Sequence, residues 1–226
     1  MAKEDTGNPI PTFYESLSVE QKIELESFGV LMRLKKGDTL FMPGDDSEHA
    51  YLIKKGSIKA TFLGLDGKEI ALPLLRPGQV LGISSFLDWG HRICYATAIN
   101  DVEALRITGN DMKAFINRHI EVAVLVIEYL GMRLRNAWKI IEELASKNVR
   151  ERLIRMLFTL SNDFGRKDGE MIIIDINLTH EQIAQMIGTS RQTVSTIVNI
   201  LENLAVIEKD RKRIIIHDSS IFDELE

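Results

Sequence analysis

The chain has 226 residues, 45% of them apolar and 27% charged, which suffices for one large domain or two modest ones with a core each. A formal net charge of −5 argues against a protein that coats nucleic acid indiscriminately, and the single cysteine, Cys94, excludes an internal disulfide and any zinc or cluster site built on several thiolates. No apolar run is long enough to span a bilayer and "MAKEDTGNPIPT" lacks the basic-then-apolar pattern of a secretion signal, so a cytoplasmic protein without a membrane partner is expected.

Ser18 and Gln21 in "SVEQ" have the spacing of a capping box, which predicts a short leading helix. From Leu34 to Ile107, β-rich runs are cut by "KKGD", "MPGD", "KKGS", "LDGKE", "RPGQ" and "DWGHR". Such runs at roughly 8–12-residue spacing predict an all-β barrel or sandwich. Gly37, Gly44, Gly56, Gly67 and Gly78 stand where tight reversals favour a positive φ. Cys94, within "RICYATA", reads as a small buried hydrophobe. His49, His91, His119, His180 and His217 are scattered with no pair at metal-ligand spacing, so neither a metal nor a cofactor is expected.

From near Asn110 to about Ala145 the sequence predicts one long helix. Ile116, Ile120, Ala123, Ile127, Leu130, Leu134, Ala137, Ile141 and Leu144 alternate spacings of four and three along it. A helix laid on its own barrel would carry a broader apolar stripe, so this register predicts a coiled-coil seam between two copies of the chain. The predicted division is 1–109 for a β domain, 110–147 for the dimer helix with a hinge at Ser146 to Asn148, and 148–226 for the last domain.

"NVRE" offers Asn148 as an N-cap with Glu151 three residues on, and Leu153, Leu157, Leu160 and Phe164 then give an amphipathic helix ending at "GRKDGE", before the β-like "MIIIDINL". In "THEQIAQMIGTSRQTVSTIVNILENLAVI" two capping boxes, Thr179 with Gln182 and Thr189 with Gln192, predict two helices joined by a turn at Gly188. Ala184 is small where those helices must cross, and Val194, Ile197 and Leu201 face inward. "VIEKDRKRIIIH" is a strand, a basic turn and a strand. Together these spell a winged helix-turn-helix in an α+β chain. Arg191, Gln192, Ser195 and Thr196 would meet base edges, since arginine can fork onto guanine, glutamine onto adenine, and short hydroxyls leave room for approach. Thr179, Thr189, Ser190, Lys209, Arg211, Lys212 and Arg213 would meet phosphates. From Asn148 to Ile216 the net charge is near +1, against −6 for the remainder, so basic groups are focused where a DNA face needs them.

In this order the stretches "YLIKKGSIKATFLGLDGKE", "LLRPGQVLG" and "IAQMIGTSRQTVSTIVNILE" resemble the Crp/Fnr family of bacterial transcription regulators over nearly the whole chain. The resemblance implies a cyclic-nucleotide-binding-like double-stranded β-roll, a long dimerisation helix and a winged helix-turn-helix. It also implies a homodimer on palindromic double-stranded DNA, gated by a small effector and working with RNA polymerase. Gly82, Ile83, Ser84, Arg92, Ile93, Cys94, Ala137 and Trp138 fall on the family's effector pocket. Cyclic-AMP-binding members carry a glutamate after the glycine and an Arg-Ser pair, where this chain has Ile83 and Ile93; their two hydroxyl residues on the helix fall on Ala137 and Trp138. Their reading helix has "SRETVGR", with glutamate and arginine at the places of Gln192 and Thr196. The cysteine-rich start of the iron–sulfur branch and the histidine of the haem branch, within "GQVLGISSF" here, have no counterpart. "CYATAI" resembles members that sense halogenated aromatics, and an aromatic or anionic effector suits Arg92 with Trp138.

Two other functions compete. A catalytic pocket from Asp88, His91 and Arg92 would lack a nucleophile–base pair and a metal set, so no catalytic residue is assigned. A regulator without an effector, its roll a mere scaffold, is the nearer alternative.

Overall fold

Neighbouring residues of one strand serve two different cores. In the computed structural model, which describes residues 11–64, 69–72, 74–83, 90–209 and 213–225, Ala50 and Leu52 of the strand His49–Lys55 belong to a cluster shared with helices, whereas Tyr51 and Ile53 line the interior of a β-roll. Side chains alternate across a strand, so a sheet covered on both faces reads as the unbroken apolar run "AYLI".

The chain divides into two compact units, one of Pro11–Gly67 with Leu72–Trp138, the other containing Lys139–Glu226. The first begins with α1 (Val19–Ser27), whose capping box is formed as expected: Ser18 Oγ accepts from Gln21 N at 3.2 Å and Gln21 Oε1 accepts from Ser18 N at 2.9 Å. Its strands are β1 (Val30–Leu34), β2 (Thr39–Phe41), β3 (His49–Lys55), β4 (Ile58–Leu63), β6 (Val80–Leu81), β7 (Tyr95–Ala98) and β8 (Val102–Thr108), while β5 (Glu69–Ala71) is grouped with the other unit. One antiparallel sheet runs β1-β8-β3-β6, and the facing one includes β2-β7-β4. Between them lie Phe41, Ile58, Leu75, Ala96 and Ala104, and outside the first sheet Phe13, Leu25, Met112, Phe115 and Val122 pack as a second layer.

Gly37, Gly44, Gly56 and Gly78 all take positive φ, as expected, while Gly67 lies outside the described residues. Gly56, at φ +78°, is the tightest case: a Cβ there would stand 2.2 Å from the Asp101 carbonyl oxygen. Gly56→Ala is therefore expected to lower stability by roughly 2 kcal/mol or more, through left-handed strain and displacement of the Asp101 backbone, read as a fall in Tm. An unchanged Tm would contradict this turn.

The expected single long helix is two. α2 (Gly109–Arg118) and α3 (Ile120–Ser146) are separated by His119, whose backbone is non-helical at φ −124°, ψ 89°. The cause is tertiary. His119 Nε2 lies 2.6 Å from Glu24 Oε2 on α1 and its Nδ1 lies 3.6 Å from Glu121 Oε1, while Glu121 also accepts from Gln21 Nε2 at 2.7 Å. Ile116, expected at the head of the seam, lies before this break and packs against the roll's outer core.

In the second unit α4 (Val149–Phe164) starts at the reciprocal Asn148–Glu151 box and buries Leu153, Ile154, Leu157 and Leu160. "GRKDGE" is more than a helix end: β9 (Gly165–Asp168) turns at Gly169, φ +63°, and pairs with β10 (Met171–Ile174), leaving "DINL" outside the strand. Arg166 steadies the hairpin through Asp175 at 3.2 Å. α5 (His180–Ile187), α6 (Arg191–Asn203), β11 (Ile207–Lys209), β12 (Ile214–Ile216) and a 3-10 turn at Ser219–Leu225 complete it, with sheet order β11-β12-β10-β9.

Candidate DNA-reading surface and effector pocket

α5 is capped by Thr179, whose Oγ1 accepts from Gln182 N at 3.1 Å, and it ends at Gly188 in the left-handed conformation. Ala184 is buried at the crossing, as its size required. The second expected capping box is not formed. Thr189 N donates to Ala184 O at 3.0 Å, so Thr189 closes the end of α5. Ser190 caps α6 instead, accepting from Thr193 N at 3.1 Å. This shift leaves the side chain of Gln192 outside the cap and exposed beside Arg191.

α6 buries Val194, Val198 and Leu201, with Ile197 half-buried. Its outer face carries Arg191, Gln192, Thr196 and Asn199, with Ser195 half-exposed. Thr196 Oγ1 donates to Gln192 O at 3.1 Å, which fixes the hydroxyl while leaving its lone pairs outward. The wing pairs Ile207 with Ile216 and Lys209 with Ile214, and Glu202 of α6 anchors it by accepting from Lys209 N at 3.0 Å. Arg213 directly precedes β12; Arg211 and Lys212 lie outside the described residues. His180, which the sequence did not single out, lies in the field of both elements: burial first, then the cations of Lys209 and Arg191, push its imidazole below the ordinary value, Glu202 opposing. Arg191 and Lys209 thus both lie within electrostatic reach of His180.

In the roll Arg92 is 3% exposed. Its guanidinium lies 4.4 Å above the Phe41 ring and 5.6 Å from that of Tyr51, and it donates to the carbonyls of His49 and Gly82, while Nε finds no partner among the described residues. Burial lowers its pKa, with Tyr51, Cys94 and Asp45 opposing. Gly82 (φ +85°) is shaped to this group, since a Cβ there would stand 2.3 Å from Nη1. Ile83 is buried, Ile93 is 71% exposed, and Ser84 lies outside the described residues, as does Asp88. Cys94 is half-buried; burial pushes its thiol up, with Arg133 and Arg92 pulling it back. Arg133 of α3 also faces Tyr129, 6.0 Å from the ring, and Tyr129 Oη donates to Val80 O at 2.9 Å. The helix therefore brings a second cation towards Cys94, which the apolar register could not announce.

Along α3, Ile120, Val124, Ile127, Leu134, Trp138 and Ile141 are exposed. Ala123, Leu130 and Ala137, expected in the seam, are half-buried, and Leu130 packs on the roll. Trp138, expected in the pocket, is 61% exposed. No helix among the described residues is long and apolar enough to cross a membrane.

Residues 31–119 match the Cyclic nucleotide-binding domain family and residues 151–221 the Crp-like helix-turn-helix domain family. A nucleotide-binding-type roll joined to such a reader defines a DNA-binding transcription regulator and not an enzyme. The chain is 31% identical over 190 residues to the "Global nitrogen regulator" of Nostoc sp., covering 83% of this chain and 85% of that one. It is 29% identical over 184 residues to the "CRP-like cAMP-activated global transcriptional regulator" of Mycobacterium tuberculosis, covering 81% and 82%. The chain belongs to the Crp/Fnr family. A solved CooA mutant from Carboxydothermus hydrogenoformans shares the fold, with a TM-score of 0.78 at 23% identity over 97% of this chain and 98% of that one.

Proposed function

We propose that two copies, paired along α3, place one α6 in each of two successive major grooves of a palindromic site, under control of an effector in the roll. The reading is carried by α6, whose exposed face is short and polar and led by Arg191 at the first helical turn, where a groove-entering helix meets base edges. Lys209, Arg211, Lys212 and Arg213 would hold phosphates, with the caps Thr179 and Ser190 at the helix starts and Thr189 beside Ser190 after α5. Pairing is supported by Ile120, Val124, Ile127, Leu134, Trp138 and Ile141, which follow one another at spacings of four, three, seven, four and three, fall on one heptad face and are left exposed by the single chain. Trp138 then belongs to the seam, and α3 reaches the pocket through Arg133. The regulator would work in the cytoplasm beside RNA polymerase. At fixed salt, the affinity for a selected palindrome should exceed that for scrambled duplex by about 10³ or more. A ratio near one would refute sequence-specific reading.

The effector is an aromatic or other apolar anion, because Arg92 offers a buried charge, with no partner for its Nε among the described residues, beside aromatic rings. A screen of such anions by thermal shift separates this from an effector-independent regulator, which would show no stabilising compound. Cyclic AMP is not the effector in this reading. The Ile83 and Ile93 side chains give no acceptor for a ribose hydroxyl and no donor to a phosphate, so the nucleotide would forgo charge-assisted hydrogen bonds of roughly 1.5–3 kcal/mol each. Calorimetry should register no binding of cyclic AMP; saturable micromolar binding would overturn the assignment.

A further inference from the structure

Between α3 and α4, one arginine gathers three carbonyls. Arg152 donates from Nη1 to Lys147 O at 2.6 Å, from Nε to Ile187 O at 2.8 Å and from Nη2 to Gly188 O at 3.5 Å. Lys147 directly follows α3, and Ile187 and Gly188 end α5, so the guanidinium sits where the carbonyl ends of two helices converge. Such carbonyls lack intrahelical donors and carry the negative ends of the helix dipoles. Two more contacts span the joint. Arg155 Nε lies 3.2 Å from Glu143 Oε1, both side chains largely buried. Leu144 covers Gly188 so closely that a Cβ there would stand 2.8 Å from its methyl. Residues 143–188 involved here all fall in the unit that starts at Lys139.

We propose that Arg152 is a positioning residue for DNA reading: by fixing the turn between α5 and α6 to the end of α3, it holds the two heads of a dimer at one half-site spacing. The inference rests on the dimeric reading above. The expected hinge at Ser146 to Asn148 is closed by Arg152, Arg155 and Leu144, and the last turns of α3 travel with the head.

The test uses the full chain and three duplexes carrying the same half-sites at the preferred spacing, one base pair longer and one shorter. One base pair rotates a half-site by roughly 36°, so the wild type should lose about tenfold or more on either altered duplex. Arg152→Gln should bind all three within about threefold of one another, with Arg152→Lys between, while a single half-site binds wild type and variants alike. General destabilisation would lower all affinities in parallel, so a profile parallel to wild type overturns the proposal. If Arg152→Gln does not fold, Glu143→Gln, which weakens the neighbouring bridge, should flatten the profile in smaller measure; a parallel profile again overturns it. A wild type that prefers no paired site over a single half-site refutes the dimeric reading itself, together with the positioning role.

Discussion

Leu134→Asp should make the protein monomeric at micromolar concentration and lower its affinity for a palindrome by about a hundredfold or more, as two linked half-sites become two independent ones. Leu134 is 51% exposed and stands between Ile127 and Ile141 on the face that the single chain leaves open. In a parallel pair each copy would bring an aspartate to the same level of the seam, burying two facing carboxylates in addition to losing two leucines. Leu134 belongs to neither core cluster of the roll, so the variant should keep its circular dichroism and its Tm at low concentration. Sedimentation that still finds a dimer would place the interface elsewhere.

Arg191→Ala should cost on the order of 1–3 kcal/mol at each half-site, felt twice by the dimer, and should relax preference at one base pair of each half-site. The size follows from geometry. Arg191 opens α6, immediately after the Ser190 cap, and its fork would be the longest side chain on the reading face. Affinity for scrambled DNA should fall far less, because only one charge is lost from the electrostatic contact. Equal losses on the two DNAs would make Arg191 a phosphate contact.

The legible parts of this fold are those whose causes are local. The Ser18–Gln21, Asn148–Glu151 and Thr179–Gln182 boxes each need two side chains three residues apart, and all are formed. The box at Thr189 failed because two hydroxyl residues adjoin there: the left-handed Gly188 drew the Thr189 amide back to Ala184, and Ser190 took the cap. The break at His119 was hidden because the apolar register runs through Ile116 and Ile120 without interruption, while its cause, Glu24, comes from a distant helix. The same holds for the candidate effector site. Arg92 could be singled out from sequence, but its enclosure by Phe41 and Tyr51, the demand it makes on Gly82 and the approach of Arg133 depend on strands and a helix brought together by folding. Along α3, spacing could not tell Ala123 from Val124 or Ala137 from Trp138, since either member of each pair continues a four-and-three alternation. Packing of Leu130 on the roll decides which face remains open.

The claim that α6 reads bases is tested most directly by selecting sites from random duplexes with the wild type and with Gln192→Glu in parallel. Gln192 is exposed on the reading face and does not cap the helix, so the substitution leaves the α6 N-terminus intact. Glutamine suits adenine, and glutamate accepts from cytosine. The wild type should yield a two-fold symmetric site, and the variant should change preference at one symmetric pair of positions while the guanine met by Arg191 and all other positions stay the same. Sites without two-fold symmetry, or identical sites from both proteins, would contradict the account.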